Sequence, residues 1–209
     1  MTPHEVAQKA CNDWFAYQSD FELEMALTAL QRANTDGHIK VIMEIGTAHG
    51  ASLAAWAEIV KPELCIALDP EEMGGNKGNE KEQASFDQLA EKYKFLRIPH
   101  YDRSPDAHTK LKAILGDRKI DFLFIDAAHG YNDASYDFYG YMEYLAPGAI
   151  IGFHDIYYSE GLVGAGSQVC WLWDEVKRRY NYNEFYYGSS MGIGFIYRGQ
   201  PAPPSPHKL

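Results

Sequence analysis

Three apolar runs limit what this chain can fold into, because each ends at a glycine turn or an acid. They are Val41 to Ser52 (VIMEIGTAHGAS), Asp121 to His129 (DFLFIDAAH) and Ala149 to Asp155 (AIIGFHD). A short run that is apolar on both faces reads as a strand of a parallel sheet covered by helices on each side. Open sheets of that kind take their ligands at the carboxyl ends of the strands. The first run therefore offers a glycine turn to a nucleotide-like ligand. The other two offer Asp126, His129, His154 and Asp155, a group suited to a metal ion or a base.

Strands and helices alternate through the rest of the chain. Strands are expected at Ile39 to Ile45, Leu64 to Leu68, Phe95 to Ile98, Ile120 to Ile125 and Ala149 to Phe153. Helices are expected at Ser52 to Val60, Glu80 to Tyr93, Asp133 to Leu145 and Gln168 to Tyr180. Ser104-Pro105-Asp106 opens a further helix to Leu115, with a capping hydroxyl, a first-turn proline and an acid at the positive dipole end. Residues 3 to 33 carry one or two helices ahead of the sheet, and Glu184 to Tyr187 with Ile193 to Tyr197 form a hairpin. This order predicts an α/β fold with a mostly parallel sheet. The glycine-rich segments Glu71 to Asn79 and Gly161 to Gly166 are expected to close over substrates, and the proline-rich tail from Gly199 is expected to be disordered.

Composition narrows the function classes. With 209 residues and 46% hydrophobic content, one domain with a full core is expected. The net charge of −10 argues against a protein that grips a phosphate backbone, so no nucleic-acid partner is expected. No run is long enough to span a bilayer, and Cys11, Cys65 and Cys170 are too scattered for a disulfide framework. A cytoplasmic protein without a membrane partner is the expectation. The 15 tyrosines and 4 tryptophans suit an acceptor pocket or a homo-oligomer interface equally well.

In the first turn, Gly46 and Gly50 allow backbone to approach a ligand that a Cβ would exclude, and the next helix points its N-terminus there. Asp69 ends the second strand 23 residues after Gly46, where an acid binds a ribose diol. The GxxxG spacing differs from the dinucleotide GxGxxG, which disfavours NAD. Glu44 lies inside the first strand, where a carboxylate needs a partner: a ligand ammonium, or a Lys, Arg or amide of the protein. Ser104 reads first as a helix cap, with Asp102 and Arg103 candidates to flank a base ring. If strands four and five are neighbours, Asp126, His129, His154 and Asp155 converge above the sheet. Carboxylates suit Mg²⁺, a histidine shifts the preference toward Mn²⁺ or Fe²⁺, and an imidazole can accept a proton near neutral pH.

EIGTAHGAS and IDAAHGY resemble the first and strand-four motifs of class I S-adenosylmethionine-dependent methyltransferases. The chain is most similar in them to metal-assisted O-methyltransferases and relatives named cephalosporin hydroxylases. The resemblance covers roughly residues 39 to 198. It implies a single Rossmann-like methyltransferase domain whose seven-stranded sheet ends in an antiparallel hairpin. The domain is taken as residues 37 to 198, with a helical extension at 1 to 36 and a tail at 199 to 209. The resemblance further implies cofactor contacts at Glu44, Gly46, Thr47, Gly50, Ser52 and Asp69, metal ligands at Asp126 and Asp155, to which the strand-end cluster adds His154, and His129 as the base. His154 stands where relatives often carry an acid or amide.

The expected activity is methyl transfer from S-adenosylmethionine to a hydroxyl of a small molecule, assisted by Mg²⁺ or Mn²⁺. Tyr131, Tyr157, Tyr158 and Trp171 are candidates for the acceptor pocket. The alternatives are a non-catalytic S-adenosylmethionine-binding assembly protein and, less favoured, an NAD-dependent oxidoreductase.

Overall fold

The computed structural model describes residues 1–69, 80–99, 103–157, 167–188 and 190–201. The segments Glu71 to Asn79 and Gly161 to Gly166, the residues Asp102 and Tyr158, and the tail beyond Pro201 lie outside the described residues.

Two capped helices come first, α1 (Pro3–Asp13) and α2 (Asp20–Ala33). Each opens with a capping box: Thr2 with Glu5, and Ser19 with Glu22. Then follow β1 (Val41–Ile45), α3 (Ala51–Val60), β2 (Leu64–Leu68), α4 (Glu80–Tyr93), β3 (Phe95–Ile98), α5 (Pro105–Leu115), β4 (Ile120–Ile125) and α6 (Tyr131–Gly140). A 3-10 turn at Met142–Tyr144 leads into β5 (Leu145–His154), and α7 (Val169–Val176), β6 (Tyr180–Phe185) and β7 (Ile193–Pro201) complete the chain.

The seven strands form one sheet in the order β3-β2-β1-β4-β5-β7-β6. Strands β1 to β5 pair in parallel, and β7 runs antiparallel to both β5 and β6. This is the Rossmann-like methyltransferase architecture with a C-terminal hairpin. One face is covered by α1 to α4, where Val6, Ala10, Leu23, Leu27 and Trp56 share a core with Phe122, Phe124 and Phe195. The other is covered by α5 to α7, through Leu111, Phe138 and Trp173 against Leu123, Ile151 and Phe153. The strand order reverses direction between β1 and β4, so the ends of β1, β2, β4 and β5 border one crevice. Among the described residues no helix is long and apolar enough to cross a membrane.

Four boundaries differ from the sequence expectation. The first strand begins at Val41 rather than Ile39. The helix after β4 runs from Tyr131 to Gly140, and Ala146-Pro147-Gly148 lies inside β5 instead of stopping that helix. The proline fits because the β4–β5 register shifts between Ile120 and Phe122, where no ladder N–H is demanded of it. Arg198 holds the irregular stretch by donating to the carbonyls of Met142, Leu145 and Ala146. The last helix ends at Val176, so that Tyr180 already belongs to β6. Finally, Gly199 to Pro201 extend β7 rather than starting a disordered tail.

Candidate active site

The turn after β1 is built from left-handed backbone. Gly46 (φ 83°), Ala48 (φ 44°) and Gly50 (φ 79°) alternate with ordinary residues, and Gly50 caps α3. A Cβ on Gly46 would lie 2.1 Å from the Asp126 carbonyl oxygen, so only glycine lets β1 and β4 close together here. Gly46 N–H donates to the Leu68 carbonyl and Gly50 N–H to that of Thr47, while the Thr47 hydroxyl donates to the Glu44 carbonyl. Asp69 Oδ2 accepts the Ala48 N–H at 2.8 Å, which ties the end of β2 to the turn.

The two acids of this half are both pushed toward their neutral forms. Burial raises Glu44 well above the usual carboxylate range. The Ser52 hydroxyl, donating to Oε1, opposes this only in part, and the charges of Asp126 and Asp69 add to the rise. Glu44 is fully buried, and its Oε2 has no partner among the described residues. Burial also raises Asp69, against the Ala48 N–H and the Arg97 charge.

At the ends of β4 and β5 a charged cluster forms. His154 Nδ1 lies 3.3 Å from Asp126 Oδ1 and 3.2 Å from Asp155 Oδ1. The second oxygen of Asp155 faces His129 Nε2 at 3.2 Å. Asp155 is nonetheless buried and adopts φ 61°, a left-handed conformation rare for a residue with a Cβ. Burial would lower His154, but the charge of Asp126 and the hydrogen bonds to Asp126 and Glu22 outweigh it and hold the ring well above its ordinary value. Burial dominates at Asp155 and raises it, with both histidine rings opposing. One ligand atom from each of Asp126, His154 and Asp155 lies within 4.8 Å of the others. Two carboxylates and a ring nitrogen aimed at a common point are a donor set that fits a divalent ion.

The N-terminal helices also reach this cluster. Gln18 Nε2 donates to Asp126 Oδ2 at 2.6 Å, and Glu22 Oε1 lies 3.5 Å from His154 Nε2. Phe15, with φ 66°, turns the chain between α1 and α2 so that Phe15, Ala16, Tyr17 and Gln18 form one wall of a cavity of about 420 Å³. The remaining walls are the glycine turn (Gly46, Thr47, Ala48, His49, Ala51, Ser52) and Asp126, His129, His154 and Asp155. The Tyr17 ring packs 5.5 Å from that of His49.

Most sequence-derived candidates thus meet around one cavity. Glu44, Gly50 and Asp69 do not line it: Glu44 lies beneath, reaching it through Ser52, Gly50 faces the Phe86 and Phe95 rings, and Asp69 supports the turn from the side. The aromatic candidates lie elsewhere. Tyr131 donates to Glu175, Tyr157 donates to Glu184 and packs on Tyr186, and Trp171 is exposed on α7. The two tyrosines are drawn to acids on neighbouring elements, and the aromatic residues on the cavity wall are Phe15 and Tyr17. Arg103 pairs with Asp133 at 2.6 Å, and the Ser104 hydroxyl accepts the Ala107 N–H as a helix cap. Gln18 and Glu22 escape sequence reading because Ser19-Asp20-Phe21-Glu22 is fully explained as a capping box. Only contacts made across more than a hundred residues reveal the second role.

Residues 43–156, just over half of the chain, match the family described as "Methyltransferase domain". No curated protein matches the chain. Solved structures share the fold at low identity. An O-methyltransferase from Bacillus cereus in complex with SAH is 18% identical with a TM-score of 0.57, over 94% of this chain and 90% of that one. The O-methyltransferase TomG from Streptomyces achromogenes, in complex with SAM, is 16% identical with a TM-score of 0.56, over 95% and 91%. MycE methyltransferase, in complex with Mg, SAH and mycinamycin VI, is 13% identical with a TM-score of 0.60. That match covers 98% of this chain but 56% of MycE.

Proposed function

The chain belongs to the methyltransferase domain family through residues 43–156, and on that premise we propose that it transfers the methyl group of S-adenosylmethionine to a hydroxyl oxygen of a small molecule, with a divalent ion at the Asp126–His154–Asp155 cluster. The observation that carries this reading is the shared cavity. The glycine turn and the acid–histidine cluster open onto the same 420 Å³ space. The relatives that bind SAM or SAH, one of them with Mg, point the same way.

S-adenosylmethionine, when bound, supplies a methyl carbon on a sulfonium that departs as a neutral thioether. The turn Gly46 to Gly50 gives it close backbone approach, and the N-terminus of α3 adds dipolar attraction for a carboxylate. Glu44 orients Ser52 at the cavity wall, and its spare Oε2 suits the cofactor's ammonium side. Asp69, fixed by the Ala48 N–H, presents its other oxygen to the ribose diol. Asp126, His154 and Asp155 would hold the divalent ion, which would lower the pKa of a nearby hydroxyl. His129 would take the acceptor proton, and Asp155 Oδ2, 3.2 Å from its Nε2, would stabilise the imidazolium. Transfer would exchange the cofactor's C–S bond for an O–CH₃ bond and leave the acceptor's proton on His129. Phe15 and Tyr17 flank the acceptor and exclude water.

The test is calorimetry with S-adenosylhomocysteine and with NADH, followed by transfer of labelled methyl to a panel of phenolic and sugar hydroxyls with and without Mn²⁺. Binding of S-adenosylhomocysteine but not NADH, and label in product stimulated by Mn²⁺, is expected. Failure to bind S-adenosylhomocysteine removes the reading. Binding with no labelled product from any acceptor favours a non-catalytic role.

A further inference from the structure

Glu22 belongs to the second helix and is far from both sequence motifs, yet it is almost completely buried behind His154. Its neighbours decide what it can do there. Oε1 accepts the Ser19 N–H at 2.8 Å, and Oε2 accepts the Gly192 N–H at 3.1 Å. Both are backbone amides, which can only donate, so the carboxylate is committed as an acceptor on both oxygens. The Ser190 hydroxyl also donates to the carboxylate, and the remaining neighbour is His154 Nε2, 3.5 Å from Oε1. Facing a committed acceptor, that nitrogen must carry the hydrogen. The other ring nitrogen, Nδ1, then points at Asp126 Oδ1 and Asp155 Oδ1, at 3.3 and 3.2 Å. The nitrogen that donates to these oxygens in the charged ring becomes a ligand when a divalent ion displaces its proton.

We propose that Glu22 is a positioning residue that fixes His154 with Nε2–H turned to the helix and Nδ1 turned to the acidic pair, making Nδ1 the nitrogen ligand of a divalent transition-metal ion. The inference rests on the cluster's reading as a metal centre and assigns what that reading leaves open: which nitrogen binds, and what holds the ring. Metal-bound histidines commonly give their second N–H to a carboxylate, and loss of that partner weakens binding. Here the partner comes from a helix outside the strand-end motifs and is braced by the β6–β7 turn through Gly192. Gln18 acts in parallel on Asp126, taking Oδ2 and leaving Oδ1 toward the ring. An imidazole in the donor set selects Mn²⁺, Fe²⁺ or Zn²⁺ over Mg²⁺.

The experiment is an electron paramagnetic resonance titration of the full chain with Mn²⁺, alongside Glu22→Gln. Glutamine at this helix position retains the capping box, so the substitution removes the charge while sparing the helix start. The expected result is Mn²⁺ affinity weakened about 10–100-fold, with S-adenosylhomocysteine affinity nearly unchanged. Pulsed spectra of the unsubstituted protein should show a directly bound ¹⁴N that persists in His129→Ala. Equal Mn²⁺ affinity in Glu22→Gln overturns the proposal, as does a bound Mn²⁺ without nitrogen coupling. Glu22→Asp, which keeps the charge but draws it back from the ring, repeats the measurement if glutamine prevents folding. A protein that binds S-adenosylhomocysteine but no Mn²⁺ loses the metal reading and this inference together, and the methyl-transfer reading stands.

Discussion

The two halves of the site are built in opposite ways. At the ends of β1 and β2 the walls are backbone: three left-handed residues within one turn, with Glu44 and Asp69 both driven toward neutrality by burial. At the ends of β4 and β5 the site is made of side chains. There Glu22 is held below the usual range: burial would raise it, but the donors at His154, Ser190 and Ser19 prevail, while His154 is held above its own. One half shapes backbone around the crevice, and the other gathers carboxylates around two histidine rings. They meet at a single seam, where Gly46 backs directly onto the Asp126 carbonyl.

The sharpest way to break that division is at the seam. In Gly46→Ala the new methyl must occupy space 2.1 Å from the Asp126 carbonyl oxygen, at a φ that strains alanine. Both halves should fail together, with destabilisation above about 4 kcal/mol. In a chain of this size that corresponds to a fall in melting temperature of roughly 10 °C or more. A variant that melts like the unsubstituted protein would show that the seam is looser than the geometry requires.

A pair of substitutions should then separate the halves. Asp69→Ala is expected to weaken S-adenosylhomocysteine about 10–100-fold in calorimetry, the loss of a hydrogen bond to a charged group, while the Mn²⁺ titration is unchanged. Asp126→Ala should do the reverse, abolishing Mn²⁺-stimulated turnover while cofactor affinity stays within about twofold, as for independent sites. If each variant lowered both affinities equally, the two halves would be one coupled unit.

The smallest expected effect concerns Glu44 alone. Its folded pKa lies above its unfolded value, so the folded state binds the extra proton. Its contribution to stability is complete below about 4.5, the ordinary carboxylate value, and is lost as pH rises toward the raised folded value. Glu44→Gln removes that loss. Its melting temperature should therefore gain on that of the unsubstituted protein as pH rises from 5 to 8, while cofactor affinity declines. A gap that does not change with pH would mean that Glu44 is already paired.

The same contrast explains what the sequence made legible. The glycine turn and Asp69 belong to two consecutive strands, and their spacing is a local consequence of how strand, helix and strand pack. The strand-end residues Asp126, His129, His154 and Asp155 follow from parallel pairing, because β4 and β5 must finish on one edge. Gln18 and Glu22 were hidden because their contacts span 108 and 132 residues and their local pattern already satisfies a helix start. The aromatic residues that line the cavity differ from those the sequence suggested, for a related reason. Phe15 enters the cavity through a left-handed turn with no glycine to announce it, and Tyr131 and Tyr157 turn to acids that lie next to them only in the fold.

The corner between α1 and α2 roofs the cavity without taking part in the strand ladder. Heritable change at Phe15 to Tyr17 can therefore reshape that cavity while leaving the inherited sheet undisturbed. Glu22, a few residues further on, leaves far less latitude, because it braces His154 and the β6–β7 turn at once. Within one short stretch, diversification and constraint lie side by side.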